Sequence, residues 1–226
     1  MIIAVDQDYG VITGDLVRSS ALSADERLGV LAEIKRASQV LQAAFADDLI
    51  EPIDIFRGDG WQAVVARPSS ALRVALLIRA WIRTFSPETS DLDTRVAVAI
   101  GRVHSVPTQH VSEGDGEAFR ASGHALDGLR EPLRMALVPP ASCLPGAAAT
   151  LQAFVPSLDA VIQGWTQRQA RATLLRLQGA TQEHIAGQWP ERITRQAVAR
   201  HLAKARWPAI EAALTWWESN PWGLQN

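Results

Sequence analysis

The sequence predicts an α+β protein, with six elements in the order β-α-β-β-α-β followed by an all-α tail. Three observations carry this. Apolar runs of strand length alternate with longer stretches of helical periodicity, and a Gly-Asp-Gly turn separates two neighbouring apolar runs. Beyond Pro139-Pro140 the chain becomes Ala-rich and then basic.

Tyr9-Gly10-Val11-Ile12-Thr13-Gly14-Asp15-Leu16-Val17 reads as a short buried strand that stops near a Gly-Asp pair. Leu31, Ile34, Leu41 and Phe45 then fall at helical spacing, with Ser38 in the same row, predicting an amphipathic helix over about residues 23–48. Ile53-Asp54-Ile55-Phe56 and Trp61-Gln62-Ala63-Val64-Val65 are strand-like, and Arg57-Gly58-Asp59-Gly60 between them is a hairpin signal because the turn needs positive φ. Leu72, Leu76, Arg79 and Ile82 align on a helix from Ser69 to Phe85. Arg95-Val96-Ala97-Val98-Ala99-Ile100 is the next strand, closed by Gly101, and a loop leads to a helix starting near Glu117.

This is the ferredoxin-like order. The first strand runs up, its helix returns down, and the second strand runs up into the hairpin turn. Asp15 and Asp59 are therefore expected at the same edge of the sheet. Carboxylates brought together repel unless a cation lies between them, and hard oxygen ligands suit Mg²⁺ or Mn²⁺. Read from the residues alone, a second explanation stays open: Gly-Asp commonly ends a strand, and Asp59 can be an ordinary turn residue.

Composition narrows the function classes. The chain of 226 residues has 22 Lys+Arg against 24 Asp+Glu and is 47% hydrophobic, which excludes a disordered chain or a uniformly basic nucleic-acid coat. A single cysteine, Cys143, excludes an intramolecular disulfide framework and a multi-Cys zinc site. No apolar run approaches the ~20 residues needed to cross a bilayer, and Met1-Ile2-Ile3-Ala4-Val5-Asp6 lacks the cationic start of a signal peptide, so no membrane role and a cytoplasmic location are expected. P-loop and Gly-x-Gly-x-x-Gly stretches are missing. Ser122 and His124 are two apart on a helix and cannot face each other, and His104, His110 and His124 lack metal-ligand spacing. Gly114-Asp115-Gly116 reads as a flexible acidic turn, either near the same sheet edge or, the favoured reading, only a break in the chain before the Glu117 helix.

The near-neutral total hides a split. Residues 166–206 carry eight basic side chains against Glu183 and Glu191, a net +6, leaving 14 basic and 22 acidic residues, net −8, in the remainder. Two modules with different partners are expected, 1–145 and 146–226, the basic one suited to a polyanion. After an Ala-rich helix at about 147–163, Thr166–Leu177 is helical, Thr181–Gln188 makes a short helix, and a turn through Trp189-Pro190 leads to a helix capped by Thr194. Two helices joined by a short turn, the second rich in Arg and Gln, read as helix-turn-helix. Val198, Leu202 and Ala205 recur at i, i+4, i+7 and should face a core, which points Gln196 and Arg200 outward with Lys204 to one side. Gln pairs with adenine and Arg with guanine in the major groove, while Arg192, Arg195 and Arg206 flank the helix where phosphates run. The open alternative is an ordinary solvated helix face. Trp207-Pro208 starts a last helix with Ile210, Leu214 and Trp217 on one side, and the Trp216-Trp217-Trp222 cluster suggests a core or a homodimer contact.

The motifs Ile12-Thr13-Gly14-Asp15-Leu16-Val17, Phe56-Arg57-Gly58-Asp59-Gly60-Trp61-Gln62-Ala63, Val98-Ala99-Ile100-Gly101 and Gly116-Glu117-Ala118-Phe119 with Ser122-Gly123 resemble the SatD family and, more distantly, the catalytic core of class III nucleotidyl cyclases. The resemblance covers roughly residues 9–140. It implies a cyclase-like first domain in which Asp15, Asp59 and the backbone carbonyl of Leu16 hold Mg or Mn and a nucleotide is the ligand. The Asn and Arg that such cyclases place on the helix after the fourth strand fall at about Arg120 and His124 here. Arg120 retains a phosphate-contacting role, and the missing pair points to binding without turnover. The expected function is a DNA-binding transcriptional regulator, a homodimer on double-stranded DNA, whose degenerate cyclase-like domain senses a nucleotide or a divalent metal. An active metal-dependent nucleotidyl cyclase or nucleotide hydrolase carrying a DNA-binding tail is the alternative, and a protein-interaction module is a third reading.

Overall fold

The computed structural model describes residues 4, 7–85 and 92–219. Residues 1–3, 5 and 6, on which the signal-peptide expectation bears, and Trp222 lie outside the described residues. β1, Asp8–Leu16, is buried at every position from Tyr9 to Gly14, as a strand covered on both faces must be. It pairs antiparallel with β3, Gly60–Val65, on one side and with β4, Thr94–Ser105, on the other. β2, Asp54–Phe56, forms the outer hairpin strand on β3. The order β2-β3-β1-β4-β5 is completed by the two-residue β5, Asp115–Gly116, and by β6, Met135–Val138, which runs parallel to β4.

Alternate residues of β1 serve two cores. Ile12 and Leu16 join the large apolar core under α1, Ala24–Ala44, and α2, Ala71–Thr84. Tyr9 and Val11 join a smaller one with Val64, Val103 and Phe119 of α3, Glu117–Gly128. Ser23 and Glu26 start α1 with a reciprocal capping box. The helix ends at Ala44, short of the expected residue 48, where the chain turns so that Leu49 can bridge to Val65.

The tail contains α4, Pro145–Gln163, α5, Gln167–Leu177, α6, Gln182–Gly187, α7, Arg195–Lys204, and α8, Trp207–Glu218. α5 and α8 pack on α2, and one continuous apolar core runs from Ile12 through Leu76 to Leu202 and Trp217. The segments before and after residue 145 thus share a core. Among the described residues no helix is long and apolar enough to cross a membrane.

A buried charge cluster ties the segments together. Arg79 of α2 is fully buried and grips Asp93, just before β4, through Nε and Nη2 at 2.9 Å each, and Asp159 of α4 through Nη1 at 2.7 Å. Arg83 and Arg134 also reach Asp93 at 3.0 Å, and the Arg134 backbone N–H donates to Asp159 at 2.7 Å. Burial alone would lift the Asp93 pKa. Arg79 and its hydrogen bonds, Arg83 and the Thr94 N–H outweigh that and hold the carboxyl below the usual range. Desolvation likewise works against the Arg79 charge, and Asp93 and Asp159 overcome it.

Candidate functional site

Asp15 stands opposite Gly60 in the β1–β3 register, so Asp15 and Asp59 meet at one end of the sheet, as the topology argument expects. Both line a cleft of about 410 Å³ on the α3 side, with Arg57, Asp115, Arg120 and Asp127 around them. Its floor is a buried polar chain. The Gln62 amide donates to the Thr13 hydroxyl at 2.7 Å, and the Thr13 and Ser122 hydroxyls lie 2.8 Å apart.

The local sequence explains how the carboxylates are placed. A Cβ on Gly14 would come within 2.4 Å of the Trp61 indole and 2.7 Å of the Arg95 carbonyl, so glycine lets the buried Trp61 lie against the strand just before Asp15. The Trp61 indole N–H donates to the Thr94 hydroxyl at 3.0 Å, and that hydroxyl donates to the Asp15 carbonyl at 2.6 Å. On the other strand pair, Arg57 and Gly58 take φ of 50° and 92°, a reversal that costs glycine little and that returns the chain at Asp59.

The two aspartates already share their surroundings with a cation. Arg95 is the direct cross-strand partner of Asp15 in the β1–β4 register. Its Nε donates to Asp15 Oδ1 at 2.9 Å and its Nη2 to Oδ2, a two-point clasp. That hydrogen bonding raises the Arg95 pKa, burial opposes the rise, and the charges of Asp15, Asp127 and Asp59 reinforce it. Asp59 accepts the Ser19 hydroxyl. Leu16, the last residue of β1, sits opposite Thr94 with its side chain in the large core. Hard carboxylate oxygens with a guanidinium standing in as counter-charge are the donor chemistry a divalent cation uses. Among the described residues no group of three or more His, Cys, Asp or Glu side chains is arranged to hold a metal.

Of the two readings of Gly114-Asp115-Gly116, the structure has the less favoured one, near the sheet edge, and not a mere chain break. β5 pairs with β4, Gly116 has no room for a Cβ beside the Arg102 carbonyl, and Asp115 lines the cleft. The Asp115 carboxyl is held low by His104, by the Gly116 N–H and by Arg120, whose Nη1 lies 2.6 Å away. Arg120 therefore sits on the cleft rim bound to an aspartate. His124 is exposed and Ser122 fully buried, so those two remain apart. Arg57, Arg95 and Asp127 were not legible as site residues, because only the strand register and the packing of α3 bring them to the two aspartates.

The tail offers a second surface. Thr194 caps α7 by accepting the Ala197 N–H at 3.2 Å. Val198, Leu202 and Ala205 are buried, while Gln196, Arg200 and Lys204 are exposed, as the helical wheel requires. The connection between α6 and α7 runs through residues 189–193, between the C-cap Gln188 and the N-cap Thr194, as the sequence places it, and Trp189 tucks into the core between the helices. Arg195 pairs with Glu183 at 3.1 Å and Arg168 with Glu191 at 3.1 Å. Among the described residues, Arg192, Arg200, Lys204 and Arg206 have no acidic partner at ion-pair distance. His201 stacks on Trp189 at 5.4 Å, and its pKa is lowered by burial and then by Arg168, Lys204 and Arg200. At neutral pH the imidazole is uncharged and the positive charge of this face belongs to Arg and Lys.

No family model and no curated protein matches the chain. Among solved structures it is similar to a bacterial light-regulated adenylyl cyclase, at 18% identity and a TM-score of 0.44 over 58% of this chain and 75% of that one. It is similar to the guanylyl cyclase Cya2, at 14% identity and a TM-score of 0.40 over 54% and 70% of the two chains. It is also similar to the guanylate cyclase domain of RhGC from Catenaria anguillulae, solved in complex with GTP, at 15% identity and a TM-score of 0.43 over 55% and 74%. Likeness at this level assigns neither activity nor ligand.

Proposed function

We propose that the chain is a DNA-binding regulator. In this reading residues 146–226 work as a helix-turn-helix module that docks α7 on double-stranded DNA, and residues 1–145 are a ferredoxin-like, cyclase-like sensor, in line with the resemblance to the SatD family. The supporting observation is the outward face of α7, where Gln196, Arg200 and Lys204 are exposed over a buried Val198–Leu202–Ala205 row. Ala199 and Ala203 keep that face low, so Gln196 and Arg200 can reach base edges. Arg192, Arg195, Lys204 and Arg206 carry charge to phosphates on either side, positioning without reading sequence. A homodimer would present two such helices to two half-sites.

The cleft supplies the sensor. Mg or Mn, held by Asp15, Asp59 and the Leu16 carbonyl, would neutralise the phosphates of a nucleotide, and Arg120 would meet them after leaving Asp115. An active cyclase or nucleotide hydrolase would use the same aspartates. It would also need donors where charge develops, and the position that matches the family's donor pair, Arg120, is already bound to Asp115. Binding without turnover is the better supported of the two.

Arg200→Ala is expected to lose roughly 1–3 kcal/mol of specific DNA affinity, read by fluorescence anisotropy on a selected sequence, and to relax preference at one base position. Lys204→Ala should weaken all sequences alike and reduce the salt dependence of binding. Equal affinity of Arg200→Ala and the wild type would remove α7 as the reading helix.

A further inference from the structure

We infer that Arg95 is the resident counter-cation of the cleft, and that a divalent cation enters by displacing its guanidinium from Asp15. The inference rests on the cation reading of Asp15 and Asp59 and adds the step that regulates it. Both Asp15 oxygens are engaged by one side chain, Oδ1 by Nε at 2.9 Å and Oδ2 by Nη2. A metal ion needs at least one of those oxygens, so Arg95 and the ion compete for the same lone pairs.

The pair is built to open. The Arg95 side chain is 37% exposed and that of Asp15 23%, so the guanidinium can turn into solvent without crossing the core. A partly exposed pair carries a smaller desolvation penalty than a buried one, so water and an incoming ion can take over its two hydrogen bonds. The backbone around it is pinned independently. The Thr94 hydroxyl holds the Asp15 carbonyl at 2.6 Å, the Val17 N–H donates to the Asp93 carbonyl at 2.9 Å, and the Asp93 carboxylate is locked on the buried Arg79. Exchange therefore requires a rotamer change of Arg95 alone, with both strands staying in register. Asp59 helps either occupant, because it stands one residue beyond the register partner of Asp15 and adds its charge to the same corner.

The two occupants differ in a way that a cell could use. A guanidinium satisfies one carboxylate in a plane, whereas a divalent ion gathers oxygens from several directions and leaves positions open for phosphate oxygens. Arg95 thus keeps the two aspartates compensated while the cleft is unliganded, and it raises the concentration of divalent ion at which the cleft fills. Once released, the guanidinium stands at the cleft edge as a free cation beside an arriving anion.

Mn²⁺ binding to the full chain tests this, by titration calorimetry and by the loss of the free-ion paramagnetic resonance signal. Arg95→Ala and Arg95→Gln are each expected to bind Mn²⁺ about tenfold or more tightly than the wild type, since they remove a competing charge at contact distance. Adding Asp15→Asn to either variant should abolish the gain, and Arg95→Lys should stay near the wild type. If the wild type binds Mn²⁺ and both neutral variants bind it equally or more weakly, Arg95 does not compete and the inference fails while the cation reading stands. If none of the chains binds Mn²⁺, the cation reading itself falls and takes the inference with it. Thermal midpoints of the variants identify any loss of fold, and the two neutral substitutions give independent readings.

Discussion

Arg79→Ala is expected to destabilise the protein by about 3–5 kcal/mol, measured by urea unfolding, because it strips a buried guanidinium from two buried carboxylates. Asp93 keeps Arg83 and Arg134, whereas Asp159 Oδ1 loses its donor outright. The effect has a defined pH dependence. The folded-state pKa of Asp93 lies below its unfolded value, so its contribution is full above the unfolded value, about 4, and is lost as pH falls through the lower folded one. Without Arg79 the buried carboxyls favour protonation more, so acidification should narrow the gap between variant and wild type. A gap that stays constant from neutral pH down to about 3 would show that the cluster is not held by charge. Because Arg79 and Asp159 belong to α2 and α4 and Asp93 directly precedes β4, the same substitution should unfold sheet and tail in one transition.

Trp217→Ala is expected to cost about 3–5 kcal/mol, the range for removing a large buried aromatic. The Trp217 side chain is fully buried between α8 and the sheet-bearing segment, and its indole N–H donates to the Pro68 carbonyl at 2.9 Å, a contact across 149 residues. Truncation opens a cavity and removes one of two donors to that carbonyl, which keeps the Ala71 N–H. Trp216→Ala is the control. Its side chain is half-buried over the apolar groove between α4 and α8, edge-on to Phe154 at 5.3 Å, and its loss should be clearly smaller. Comparable losses for the two variants would mean that α8 is not anchored by its inner face.

Both predictions rest on contacts that join distant parts of the chain, and these were the part that reading the sequence could not reach. Periodicity placed Arg79 in one row with Leu72, Leu76 and Ile82, which makes it a buried residue, but nothing local names Asp93 or Asp159 as its partners. β6 escaped because Met135-Ala136-Leu137-Val138 has no alternation and pairs parallel with a strand some forty residues earlier. The meeting of Asp15 and Asp59 was legible, since strand direction and a hairpin turn suffice to bring them to one edge. The occupant of that edge was not, because Arg95 enters through the β1–β4 register, and the Gly114-Asp115-Gly116 turn offered that edge only as the less favoured of two readings. The α7 face was legible from spacing alone: apolar residues at i, i+4, i+7 decide which side is outward whatever the helix packs against.

Recovery of genomic DNA by the 226-residue chain at physiological salt, followed by sequencing of the retained fragments, asks whether α7 reads DNA without presuming a ligand for the cleft. A restricted set of sequences should be enriched, with retention falling steeply as salt rises and enrichment lost in Arg200→Ala. Retention no greater than that of an unrelated acidic protein, or an enriched set unchanged by Arg200→Ala, would contradict it.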